Sequence, residues 1–214
     1  MDPSSEIIVD YSPVFRIYKD LRVDRMMSND TVPAGYDSST GVISKDVSID
    51  DGDDAGVYVR LYLPDMAARS SDGNKKLPVL VCYHGGGFVT GSAASPMYHA
   101  FVNSLTAKAG AVVVSVNYRL ATEHPFPIGY EDSFRALQWV LLSASSSGGG
   151  DPWLSRHGDL GRVFLAGGNV AHNVAMMAAE RLAPDALARI EGVVLIHSAF
   201  WGKDQLRSRW HVKK

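Results

Sequence analysis

Five residues, His84-Gly85-Gly86-Gly87-Phe88, follow directly on the apolar run Leu80-Val81-Cys82-Tyr83. Successive glycines let a backbone approach a ligand closely and present its N–H groups as donors. Donors of that kind suit an oxyanion hole, where each contributes roughly 2.7–4 kcal/mol of transition-state stabilisation. Taken alone, the motif is equally a plain tight turn. Two rival glycine-rich readings fail on spacing: a dinucleotide fingerprint needs glycine three residues after Gly87, where Thr90 stands, and no G-x-x-x-x-G-K-[ST] occurs.

A second glycine pair sits in Val163-Phe164-Leu165-Ala166-Gly167-Gly168-Asn169-Val170-Ala171-His172. Residues 163–166 read as a buried strand and Asn169 onward as a helix. A strand-to-helix turn is where one large class of acyl-transfer enzymes places a nucleophilic serine. Here the turn holds two glycines and no serine, and no glycine in the chain has a serine two residues on. Cys82, placed mid-strand, reads as a small buried hydrophobe and not as a replacement nucleophile. His172 on the following helix and His197 at a strand end read as structural histidines.

Two continuous apolar runs, 80–83 and 111–116, have the pattern of strands buried on both faces of a parallel sheet. Helices are expected over 96–109, over 130–143 with Phe134, Leu137, Val140 and Leu141 on one stripe, and over 169–182. A last strand is expected over 192–197. Strands alternating with helices give an α/β fold with a mainly parallel sheet. Upstream, the alternation in Val57-Tyr58-Val59-Arg60-Leu61-Tyr62-Leu63 marks a half-exposed strand, and 41–50 carries a weaker version of it. The N-terminal part thus reads as antiparallel strands, 68–76 as a surface loop and 143–150 as a flexible one.

At 214 residues the chain makes one domain with a real core. A net charge of -2 gives no electrostatic case for nucleic acid or an anionic membrane. The single cysteine excludes an intramolecular disulfide. The N-terminus lacks a basic segment followed by an apolar one, and no stretch approaches the ~20 apolar residues of a membrane span. The expectation is a soluble cytoplasmic protein without a cofactor or metal.

The block Asn117-Tyr118-Arg119-Leu120-Ala121-Thr122-Glu123-His124-Pro125-Phe126-Pro127, followed by Tyr130-Glu131-Asp132-Ser133, joins the two glycine motifs in a recognisable set. Together they resemble the hormone-sensitive-lipase-like branch of the α/β-hydrolases. More narrowly the chain is similar to the plant carboxylesterases, which Phe15-Arg16-Ile17-Tyr18-Lys19-Asp20 and Phe200-Trp201-Gly202-Lys203-Asp204 also match. The resemblance implies an α/β-hydrolase fold over 1–204, with a cap-like segment at 1–40 and a basic tail at 205–214 outside it. It assigns oxyanion-hole N–H groups to Gly86 and Gly87, with His84 and Gly85 in the same motif and His84 bracing the loop. Arg119, Glu123, His124 and Asp132 fall in motifs that maintain structure through buried ion pairs and hydrogen bonds. The substrate class it implies is a small-molecule ester.

Against the family pattern Gly-Asp-Ser-Ala-Gly-Gly-Asn, this chain reads Gly167-Gly168-Asn169, a remnant elbow four residues short. The Asp and His partners of a triad come on later strands, and after Asp204 the sequence no longer resembles the family. The domain is therefore expected to be C-terminally truncated and without a triad. The shortened turn puts the register of the following helix in question, and 192–200 is expected to form an unprotected edge. Two other readings lie within the resemblance: a non-catalytic binding protein similar to gibberellin receptors, and a 2-hydroxyisoflavanone dehydratase. Gly85 favours esterase over dehydratase, which carries threonine there.

Overall fold

The computed structural model describes residues 6–26, 30–49, 56–65, 76–143 and 150–198. Three short strands come first, β1 (Ile7–Tyr11), β2 (Phe15–Tyr18) and β3 (Val23–Arg25), paired antiparallel in the order β1-β2-β3. This small sheet is held by side-chain pairs at its surface, Arg16 with Asp10 and Lys19 with Glu6.

The main sheet begins antiparallel, with β4 (Tyr36–Asp37), β5 (Val42–Ser48) and β6 (Tyr58–Pro64). It continues with β7 (Leu77–Tyr83), β8 (Val112–Asn117), β9 (Gly158–Gly167) and β10 (Ile190–Leu195), in the spatial order β10-β9-β7-β8-β6-β5-β4. Strands β10, β9, β7 and β8 are mutually parallel, and β6 joins β8 antiparallel.

Among the described residues, five helices accompany the sheet. α1 (Pro96–Ala109) packs Val102 onto one face, over Tyr62, Cys82, Val113 and Ala166. α2 (Ile128–Leu142), α3 (Pro152–His157) and α4 (Asn169–Arg181) contribute Phe134, Leu137, Leu154, Val170, Val174 and Met177 to the other, over Leu61, Val81, Val114 and Leu165. α5 (Pro184–Leu187) links α4 to β10. Alternate residues of β7 and β8 thus go to opposite cores, which is why those runs are almost wholly apolar, with Ser115 an exception. Each such side chain, fully buried, contributes about 1.5–3 kcal/mol.

Helix boundaries follow local chemistry. Pro96 opens α1, and Gly110 closes it in the left-handed region (φ 59), its N–H donating to Thr106 O at 3.0 Å. Asp151 caps α3 by accepting from Trp153 N at 2.8 Å, with Pro152 at the first helical position. α4 keeps its register despite the short turn: Val170, Ala171, Val174, Met177 and Ala178 form one buried stripe.

One expectation is corrected here. β6 is not half-exposed, because Arg60 is 2% exposed and Tyr62 fully buried. Arg60 enters the interior because Asp46 takes it bidentately at 2.7 and 2.8 Å and Val32 O accepts a further hydrogen bond at 2.9 Å. The edge expectation holds: among the described residues β10 is the outer strand, with Val193, Val194 and Leu195 exposed.

Candidate active site

The chain leaves β7 toward β8 on one side and returns to β9 on the other. At such a reversal the loops after two neighbouring parallel strands diverge, opening a crevice beyond their carboxyl ends. The two glycine motifs lie there side by side, since Cys82 pairs with Ala166 in register. They line a cleft of about 650 Å³ with Tyr98, Phe101, Asn169 and Ile196.

His84 organises the first motif. Its ring stacks on Tyr118 at 4.2 Å and 6°, and Tyr118 Oη donates to His84 O at 2.7 Å. His84 Nδ1 lies 2.8 Å from Gly85 O, so that nitrogen carries the proton. Gly91 makes room for this, because a Cβ there would come within 2.9 Å of His84 Nδ1. Gly85 N donates to Tyr98 Oη at 2.9 Å. Gly86 then turns at φ 119 and Gly87 at φ 61, and Gly86 O accepts from Val89 N at 3.1 Å and Thr90 N at 3.0 Å. The N–H groups of Gly86 and Gly87 are engaged by no other described residue, and both glycines are exposed.

Burial lowers the pKa of His84 from its ordinary value near 6.5 to about 4, so the ring is neutral. Below pH 6.5 the unfolded imidazole binds a proton that folded His84 refuses until about pH 4. Stability is therefore expected to fall as pH drops through that window, by about 3 kcal/mol. Urea unfolding at pH 7 and at pH 4 measures this drop, and a His84→Gln variant is expected to reduce it.

In the second motif, β9 runs to Gly167 and α4 starts at Asn169, with Gly168 as a cap that supplies no side chain. Gly167 has φ 151, and a Cβ there would fall 2.7 Å from Tyr83 O on the neighbouring strand. The positive end of α4 opens on the cleft, and among the described residues no carboxylate caps it. Among the described residues no Asp, Glu, Lys or Arg lines it. Such a lining can take an uncharged ligand that offers a hydrogen-bond acceptor.

Nucleophiles are another matter. Cys82 and Ser115 line the cleft but face each other within the sheet, and burial pushes the Cys82 thiol up to about 12. His197, read from sequence as a structural histidine at a strand end, lies exposed at the mouth with φ 50. His172 is partly buried on α4 and does not line the cleft.

The framework residues fall into two sets. Arg119 and Asp132 form the expected buried pair. Glu123 departs from expectation: it is exposed, and Arg25 of β3 pairs with it bidentately at 2.8 Å and holds its carboxyl down to about 2. Sequence reading missed Tyr98 and Arg25. Tyr98 lay in a stretch read only as helix, and Arg25 meets its partners 64 to 98 positions away. Residues 199–214, including the Phe200–Asp204 match and the basic tail, lie outside the described residues.

A family model for the alpha/beta hydrolase fold matches residues 80–213. The chain belongs to the α/β-hydrolase family. It is 43% identical over 207 residues to Probable carboxylesterase 13 of Arabidopsis thaliana, covering 93% of this chain and 62% of that protein. It is 43% identical over 203 residues to the chloroplastic Tuliposide A-converting enzyme 2 of Tulipa gesneriana, covering 93% and 49% respectively. Among solved structures, an esterase of Pyrobaculum calidifontis matches with a TM-score of 0.56 at 35% identity, covering 73% of this chain and 45% of that one. The chain spans 48–63% of the length of the curated relatives it matches.

The α/β-hydrolase expectation is thereby met, and the resemblance to plant carboxylesterases with it. The cytoplasmic expectation is overturned. One 43% identical relative is named as mitochondrial, and others as chloroplastic and amyloplastic, so membership does not carry a cytoplasmic location. No helix among the described residues is long and apolar enough to cross a membrane.

Proposed function

We propose that this chain is a carboxylesterase-derived protein that binds neutral small-molecule esters in the cleft between β7 and β9 without hydrolysing them. A bound ester would place its carbonyl oxygen on the N–H groups of Gly86 and Gly87, the remaining half of an oxyanion hole. Its apolar part would lie against Phe101 and Ile196. The observation that carries this reading is the junction Gly167-Gly168-Asn169, where β9 passes into α4 with no serine between them. The same shortening removes the position whose N–H would complete the hole. Removing a triad serine from a comparable hydrolase costs about 10⁶ in kcat. The domain is taken as 1–204, with 1–40 as its cap-like segment and 205–214 as a basic tail.

The names of the relatives support an ester-directed ancestry and give no support to the receptor or dehydratase readings. The test is an assay with p-nitrophenyl butyrate on this chain. A second protein serves as comparison, with Asp-Ser-Ala-Gly inserted between Gly167 and Gly168 and the C-terminal third of a full-length relative appended. This chain is expected to show no release above buffer, and the comparison protein to turn over. Turnover by this chain that persists through purification would overturn the proposal.

A further inference from the structure

We infer that Arg25 is the positioning residue through which the N-terminal three-stranded sheet holds the Gly86–Gly87 turn in shape. The inference rests on the ester-binding reading of those two glycines. Arg25 closes β3, its side chain is 16% exposed, and its guanidinium bonds run out of its own sheet. Nε donates to Val89 O at 2.5 Å, and Nη2 to Ala121 O at 3.1 Å. Nη1 and Nη2 take the two oxygens of Glu123 at 2.8 Å each.

Val89 closes the donor turn, since its N–H and that of Thr90 both return to Gly86 O. Ala121 N in turn donates to Phe88 O at 2.8 Å. One planar cation therefore grips the outer side of the glycine turn and the neighbouring 121–124 turn together. The Thr122 hydroxyl donates a further bond to Leu21 O, in the connection between β2 and β3. A lysine would keep the charge beside Glu123, but a point-like ammonium cannot match a fork that spans two carbonyls and a carboxylate. Arg25 touches no ligand itself. Its effect passes through Val89 to the peptide units of Gly86 and Gly87.

The experiment compares the full chain with Arg25→Ala, Arg25→Lys and Glu123→Gln. It measures amide hydrogen exchange residue by residue, and the shifts of the Gly86 and Gly87 amides on titration with ethyl benzoate. Arg25→Ala is expected to raise exchange at Val89, Thr90 and Ala121 about ten-fold or more, leaving β7 and β8 unchanged, and to weaken ester binding about ten-fold. Arg25→Lys is expected to show nearly the same rise. Glu123→Gln is expected to show a smaller one, because Val89 O and Ala121 O keep their donor.

Unchanged exchange at Val89 and Thr90, or a uniform rise that includes β8, would overturn the inference. Recovery of wild-type exchange in Arg25→Lys would overturn it too, by reducing the contact to charge alone. Absence of ester binding in the unaltered chain would defeat the reading of Gly86 and Gly87, while exchange at Val89 would still decide the coupling. Should Arg25→Ala fail to fold, the contrast between Arg25→Lys and Glu123→Gln carries the same decision.

Discussion

Gly86→Ala is expected to abolish ester binding and to lower stability by about 3 kcal/mol or more. A Cβ at Gly86 would fall 1.9 Å from Thr90 O and 2.6 Å from Thr90 C, and the residue holds φ 119, where side chains are rarely tolerated. Neither conflict can be relieved by rotating a side chain, since the obstacle is backbone. The turn would have to open, and opening it breaks the bonds from Val89 N and Thr90 N to Gly86 O. The neighbouring position supplies the contrast. Gly87 has φ 61 and open space around its missing Cβ, so Gly87→Ala is expected to cost only about 1 kcal/mol. Urea unfolding and ester titration on the two variants check both figures. Equal losses at the two positions would contradict the geometry.

Asp132→Ala is expected to cost about 3–5 kcal/mol, the range for removing one partner of a buried pair. The Asp132 side chain is 1% exposed and accepts from Arg119 Nε at 2.9 Å, from Arg119 Nη2 at 2.7 Å and from the Arg119 backbone N–H at 3.1 Å. Arg135 Nη2 adds a contact at 3.2 Å. Without the carboxylate, the guanidinium of Arg119, 15% exposed, loses its two hydrogen bonds to Asp132 and its backbone N–H loses a third. Arg119 follows directly on Tyr118, whose ring stacks on His84, so the loss reaches the floor of the cleft. Asp132→Asn keeps an acceptor and is expected to cost less. Denaturant midpoints measure the difference, and a cost under about 1 kcal/mol for the alanine variant would show that the pair is not what holds this loop.

Much of the fold was legible because its signals are local. Pro96 and Gly110 bracket α1 as the sequence predicts, and the apolar runs of β7 and β8 are buried on both faces. Boundaries shifted where pairing decides them. β9 begins at Gly158, well before the apolar run at 163–166, because Gly158 and Asp159 pair with Leu77 and Pro78. α3 escaped notice although Asp151-Pro152 is a legible start signal. The N-terminal part read as antiparallel, but the individual strands β1–β3 were not placed. Every residue of β1 is exposed, so no alternation of apolar and polar positions betrays it.

In the cleft, the motif 84–88 was readable because its glycines are consecutive and follow a strand. Tyr98 and Arg25 were not, because each reaches the motif only through the folded chain, Tyr98 from α1 and Arg25 from a separate sheet. His197 had the opposite fate. It read as a structural histidine at a strand end, but among the described residues β10 is the outer strand and His197 lies exposed at the mouth of the cleft.

On the proposed function, the cleft binds an ester carbonyl at Gly86 and Gly87 and lacks the group that would attack it. A single titration with ethyl benzoate, followed by amide and ligand resonances in the same sample, tests both halves. Saturable shifts are expected at the Gly86 and Gly87 amides while the ester signals persist unchanged. Shifts absent from those two amides, or ester signals converting to benzoate and ethanol at a rate proportional to protein concentration, would contradict the proposed function.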